Sequence, residues 1–379
     1  MIKDRLQKKL AAKFCAAQRI VPYAEVIVRS SASLEDAPVD ITDADLLGVE
    51  YGHRGVERRI LFDCKTGKMS AINRALWVAG LKSYMEADEA YLILKKDAPY
   101  SHRLASSSMD VHIHSEANFS KFAGSMSPDF NYDCTYLDDM NVWEAFPDLM
   151  NDHPRLRDII FFSNTVSATE KSGAKGIRSG LSVLLKSSPE LDPRKQKHFF
   201  LYANFLSAFA GFAAITTVDM RNVFQFDMNK DDFDKTARYY IWGGRDSYQM
   251  RRNLKASLEK SGTSEGVSLE LPEWAKFVNM FRGFLDAPEL LAEIPYLTKE
   301  IAFRIMSGHR LETDQRLREL FGRNNRARQF IFSINSYLVA AGRMPKEMQH
   351  LYEEAVNAML SGSPSATPPN VPSHQGQLI

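Results

Sequence analysis

TDADLLGVEYGHRGVERRILFDCKTGK, residues 42–68, is the stretch that decides the fold. Residues 39–51 (VDITDADLLGVEY) read as a strand with alternating character at its start. GHRG at 52–55 is a turn, and 58–64 (RRILFDC) is the next strand, which Gly67 helps to end. In an extended chain, residues two apart project to the same face. Asp43 and Asp45 therefore share one face of the first strand, and Asp63 and Lys65 share one face of the second. If the two strands pair, a carboxylate from each converges beside one lysine.

The flanking sequence extends this unit in both directions. Residues 2–19 have helical period, with Ile2, Leu6, Leu10 and Phe14 as the apolar stripe and Lys3, Lys8, Lys9 and Lys13 opposite. Residues 24–29 (AEVIVR) read as a short strand, and 30–38 as a polar loop. Residues 70–86 return to helical period, with Ile72, Ala75, Leu76 and Ala79 on one face and Ser83 weakening it. AYLIL at 90–94 suits a buried strand, and residues 109–114 add a short one. The order is helix, three strands, helix, strand.

Two carboxylates and a lysine so placed suit phosphodiester hydrolysis. Carboxylates hold Mg²⁺, a hard cation that prefers oxygen ligands and keeps waters. The metal polarises a phosphate and generates hydroxide, and a lysine orients the water and stabilises growing charge. TDADLLGV followed by ILFDCKTGK resembles the motifs of the PD-(D/E)xK nuclease superfamily, whose core order is the one just read. The resemblance covers about residues 1–115. It implies an α/β domain with the restriction-endonuclease-like αβββαβ core and a mixed sheet. It places the first acid at Asp45, before Leu46-Leu47, in preference to Asp43, and the second motif on Asp63-Cys64-Lys65. Asp45, Asp63 and the Cys64 carbonyl would hold Mg²⁺ or Mn²⁺, and Lys65 would position the water. Many members also carry a glutamate on the first helix; here there are only Asp4 and Gln7, with Glu25 just beyond as a weak substitute. Asp43, Glu25, Lys68 and Arg74 are accessory candidates. The implied activity is a DNA endonuclease, with RNA also open, in bacterial or phage restriction, defence or repair. The rival reading is a catalytically silent nuclease-fold scaffold or nucleic-acid-binding subunit of a larger assembly, since fold does not fix function.

The rest of the chain reads differently. At 379 residues it exceeds one ordinary core. Residues 1–120 form the nuclease-like domain and 121–138 a linker. Residues 139–360 form an all-α domain for target selection, partner binding or dimerisation, and 361–379, rich in proline and serine, a disordered tail. The partner would be a second copy or a protein supplying motor or recognition functions, because GAKGIRSG at 173–180 lacks a P-loop GK[ST] and no helicase signature is present. The formal net charge of +1 does not announce a polyanion partner, so any such surface is local. Residues 302–330 hold seven arginines against three acids, with Arg316, Arg323, Arg326 and Arg328 as phosphate-binding candidates beside the alternative of a solvated helix face. Tyr239, Tyr240, Trp242 and Tyr248 among arginines at 238–260 read as packing aromatics or as base-stacking groups. His112 and His114 read as surface histidines ahead of a zinc pair. Residues 199–218 carry no charge and read as a buried core helix ahead of a membrane span. Cys15, Cys64 and Cys134 form no CxxC pair, and the N-terminus has no signal-like apolar core, which together indicate the cytoplasm.

Overall fold

A computed structural model describes residues 2–30, 38–52, 57–67, 69–132, 136–224, 228–260 and 270–361. Lys68, Cys134, the turn at 53–55, most of the 30–38 loop and the tail beyond 361 lie outside the described residues. The N-terminal part runs α1 (Arg5–Ala17), β1 (Val21–Arg29), β2 (Asp40–Tyr51), β3 (Glu57–Lys65), α2 (Ala71–Tyr84), β4 (Glu89–Leu94), α3 (Tyr100–Ser107), β5 (Val111–Ser115) and α4 (Glu116–Met126). Residues 121–126, read as the start of a linker, continue α4, whose first turn Ser115 caps by accepting from the Asn118 amide.

The five strands lie in the order β1-β2-β3-β4-β5. The first three form an antiparallel meander, and β4 and β5 add in parallel through the crossovers α2 and α3. The helix α3 was not expected from the sequence.

Two helices bury faces other than those the apolar residues suggest. In α1 Leu6 is 53% exposed, whereas Gln7, Lys8, Ala11, Ala12, Phe14 and Cys15 are buried. The cause is close packing. Gly48 of β2 leaves room for Cys15 and Ile20, and a Cβ there would collide with both. A small-residue face therefore lies on the sheet. In α2 Ala71, Ala75, Val78 and Leu81 are buried and Leu76 is exposed. His112 and His114 are half-buried rather than on the surface. His114 stacks on Phe122 at 4.9 Å, within a cluster that includes Phe14, Phe62, Tyr91 and Phe119.

From Met140 onward every regular element among the described residues is helical. α5 (Met140–Asp152) leads to α6 (Arg157–Phe161), a π-helical turn (Phe162–Val166), α7 (Ser167–Thr169) and α8 (Gly173–Ser187). α9 (Gln196–Val223), α10 (Lys230–Ile241), α11 (Arg245–Lys260), α12 (Trp274–Leu285) and α13 (Pro288–Ala292) follow. The chain continues through α14 (Ile294–Met306), α15 (Gln315–Gly322), α16 (Ala327–Ala341) and α17 (Lys346–Ser361). α9 is long and apolar enough to cross a membrane, yet 89% of its most apolar window is buried inside the protein, as a core helix requires. The glycines of GAKGIRSG serve this packing: Gly176 lies against the Phe212 ring and Gly180 against Phe162.

The helices close onto the N-terminal part at β1, β3 and α1. Asn164 of the π turn donates to the Ala24 carbonyl at 3.0 Å, Arg59 donates to the carbonyls of Thr169 and Glu170, and Tyr296 donates to the Ala16 carbonyl. Buried apolar residues of both parts belong to one cluster.

Candidate active site

The site lies where two strands part. The β2–β3 ladder runs from Tyr51↔Glu57 to Leu46↔Phe62 and stops there. Beyond that point β2 pairs only with β1, through Ala44, Asp43, Thr42 and Asp40, while Asp63, Cys64 and Lys65 pair only with β4. The divergence leaves the Cys64 amide without a β2 carbonyl, and the Asp45 carboxylate accepts from it at 2.8 Å. A buried amide left unpaired would cost about 1–3 kcal/mol, so this contact helps to fix the split.

Six side chains of alternating charge line up across the gap: Glu25, Lys8, Asp45, Lys65, Asp63 and Arg74. Lys8 Nζ bonds Glu25 Oε1 and lies 2.9 Å from Asp45 Oδ1. Lys65 Nζ is 3.0 Å from Asp45 Oδ2 and 3.8 Å from Asp63 Oδ1. Arg74 grips Asp63 with two bonds, Nε to Oδ2 at 2.7 Å and Nη2 to Oδ1 at 2.5 Å, and its guanidinium stacks 3.7 Å from the centre of the Trp77 ring. Asp45 and Asp63 are only 5% and 3% exposed, and Lys8 2%.

Burial and charge pull these groups in different directions. Burial raises the Asp45 pKa, but Lys8, the Cys64 amide and Lys65 outweigh it and hold the carboxyl below its usual range. Burial carries Asp63 the other way, above its usual value, with Arg74 opposing and Asp45 adding to the rise. Burial works against the Lys8 and Lys65 ammonium groups, yet Asp45 leads the opposing interactions at both and their pKa values end up raised. Glu25 is raised by burial against the pull of Lys8.

A cleft of about 830 Å³ opens onto the Glu25, Lys8, Asp45 and Lys65 end of this row, and Asp63 and Arg74 do not line it. Its sheet side presents Asp43, Asp45, Glu25 and Lys65, its α1 side Lys3, Asp4 and Lys8, and its far wall Trp143, Phe146, Pro147 and Met150 of α5. The far wall was not expected from the sequence, because it comes from the helical part. Asn164 and Thr165 of the π turn also line the cleft, and such turns recur at functional sites.

The other sequence candidates lie elsewhere. Arg316 is ion-paired to Asp129, Arg328 packs on Phe332, and neither they nor Arg323 and Arg326 line the cleft. Trp242 has Arg251 and Arg178 over its ring at 4.9 and 5.5 Å, and α11 buries none of its residues.

The oxygen donors suit Mg²⁺ in kind, since that ion takes one or two protein carboxylates and retains waters. Asp45 and Asp63 would hold it. Their oxygens are already engaged by ammonium, guanidinium and amide groups, so an entering ion must displace at least one of these contacts. Among the described residues, no group of three or more His, Cys, Asp or Glu side chains is placed to hold a metal. Comparison with protein-family profiles, with curated proteins and with solved structures returned no match to this chain.

Proposed function

We propose that this chain is a metal-dependent nuclease with the restriction-endonuclease-like core, cutting phosphodiester bonds, most readily in DNA, at Asp45, Asp63 and Lys65. One observation carries the reading: carboxylates from two diverging strands meet at a single lysine, with Lys65 Nζ within 4 Å of both, and Asp45 and Lys65 line a cleft while Asp63 lies behind them. A bound Mg²⁺ would polarise the phosphate and acidify a water. Asp45 and Asp63 would supply its oxygen ligands. Lys65, held between them, donates to the attacking water and to the phosphate oxygen that gains charge. Arg74 orients Asp63 through its two bonds to that carboxylate.

The cleft itself repels a polyanion. It is lined by Asp4, Glu25, Asp43, Asp45, Glu144 and Asp148 against Lys3, Lys8 and Lys65. Substrate binding in the cleft therefore depends on the divalent ion. A specific observation favours a second reading, the silent scaffold: every charge in the row from Glu25 to Arg74 is already matched without a metal.

The test is cleavage of plasmid, linear and single-stranded DNA and of RNA, with Mg²⁺ or Mn²⁺, by the wild type, Asp63→Ala and Lys65→Ala. Loss of cutting in both variants supports the site. Equal cutting by all three proteins removes it, and no cutting by the wild type on any substrate favours the scaffold.

A further inference from the structure

Lys8 has a role that the proposed chemistry does not use. It projects from α1 into the space between β1 and β2, where its ammonium touches one carboxylate from each strand, Glu25 and Asp45. Glu25 stands opposite Asp45 in register, between the pairs Ala24↔Leu46 and Val26↔Ala44. Its backbone is left-handed there, with φ of 53°. For a residue with a Cβ inside a strand, that conformation is unfavourable. The strand is thus kinked at the residue that meets Lys8. A lysine that only anchored α1 to the sheet would need one acceptor and no kink. Two carboxylates closing on one small buried cation is the arrangement a divalent ion would otherwise create.

Resting on the nuclease reading above, we propose that the Lys8 ammonium is a built-in substitute for a second metal ion. It neutralises Asp45 and Glu25 permanently, so the site takes at most one divalent cation, on the Asp63 side of Asp45. Glu25 is then a positioning residue for Lys8 and not a metal ligand in the native protein.

Mn²⁺ stoichiometry, measured by calorimetry and by electron paramagnetic resonance, tests this without any turnover. The wild type should bind no more than one ion per chain. Lys8→Met keeps the aliphatic stem and removes the charge, so it should bind one ion more than the wild type. Adding Glu25→Gln to Lys8→Met should abolish that gain. A wild type that binds two ions overturns the proposal without recourse to any variant. Folded Lys8→Met, checked by circular dichroism, that gains no ion also overturns it, and Lys8→Gln repeats the test if the methionine variant does not fold. The nuclease reading fails on a different readout, the absence of cutting by the wild type, so the two failures are separable.

Discussion

Lys299 offers the sharpest test of how this fold handles a buried charge. Its side chain is fully enclosed by α9, α5, α14 and β1. Its Nζ lies 2.6 Å from Asn204 Oδ1 and faces the rings of Tyr23, Trp143 and Phe303 at 4.6, 5.4 and 5.5 Å. Burial pulls its pKa from 10.5 down to about 7. At about 1.4 kcal/mol per pH unit, that interval corresponds to about 5 kcal/mol, an upper bound because the rings and Asn204 solvate the ammonium in part. The direction follows from proton counting. Between pH 7 and 10.5 the unfolded chain holds a proton that the folded chain does not, so stability rises with pH across that window. Below it the whole penalty is present. Lys299→Met removes the penalty but leaves Asn204 Oδ1 unpaired beside an Nδ2 that already has no partner, a loss of about 1–3 kcal/mol. The variant should therefore be more stable than the wild type by about 2–4 kcal/mol at pH 6–7. Near pH 10 it should be equal or slightly less stable. Denaturant midpoints of both proteins at several pH values between these limits measure the difference directly, and the other titrating groups cancel in it. A difference that stays constant with pH would refute the account, as would a Lys299 side-chain signal titrating with an ordinary lysine pKa in ¹⁵N NMR.

Three further outcomes are expected. Asp45→Ala leaves Lys8 buried with only Glu25 for company and uncaps the Cys64 amide, so it should lower stability by about 3–5 kcal/mol in chemical denaturation, whereas exposed Asp43→Ala should change it by less than about 0.5 kcal/mol. Gly176→Ala drives a methyl into the Phe212 ring and should cost about 1–3 kcal/mol, read as a lower melting temperature; an unchanged melting temperature would mean that α8 and α9 are not packed this closely. Asp43→Asn with Asp148→Asn removes two exposed carboxylates from the cleft and should tighten metal-free binding of a DNA oligonucleotide in fluorescence anisotropy, with a smaller gain at high salt; weaker or unchanged binding would show that the polyanion does not enter this cleft.

The sheet was legible because strands impose a period of two that aspartates and lysines cannot hide. TDADLL and LFDCK carried both the strand assignments and the convergence of Asp45, Asp63 and Lys65. Arg74 was legible only as a neighbour; that it takes both oxygens of Asp63 depends on the crossover laying α2 against β4 and β5, with Arg74 in its first turn. Lys8 was missed for a physical reason. Helix faces were chosen by the largest apolar side chains, and Leu6 and Leu10 outvote alanines on that scale. The buried face is instead the one whose small residues, Ala11, Ala12 and Cys15, allow close approach to Gly48. A lysine one turn from such a face can bury its stem and reach inward. The spacing of Lys8, Ala11, Ala12 and Cys15 was the available signal. The α5 wall of the cleft had none, since Trp143, Phe146 and Met150 look like any amphipathic helix until their partner surface is known. The twenty uncharged residues of 199–218 were readable as a core helix, and their burial agrees.

On the nuclease reading, the charge row sets what the site would need in order to act. Glu25, Asp45 and Asp63 are matched by Lys8, Lys65 and Arg74, so a divalent ion entering alone would leave two cations short of partners in a largely buried site. That is unfavourable by the same reasoning that makes one half of a buried ion pair costly to remove. A phosphate entering alone meets carboxylates and is repelled. The two together would cancel: a phosphate would offer Lys65 and Arg74 new partners where an ion took over Asp45 and Asp63. On the nuclease reading, metal and substrate binding would therefore be coupled through side chains of this chain. By linkage, each ligand must strengthen the other by the same factor. Lys8 would keep Glu25 as a partner even where its contact with Asp45 weakened. That coupling would turn on Lys65, because within the row it is the cation that reaches both Asp45 and Asp63 and also lines the cleft.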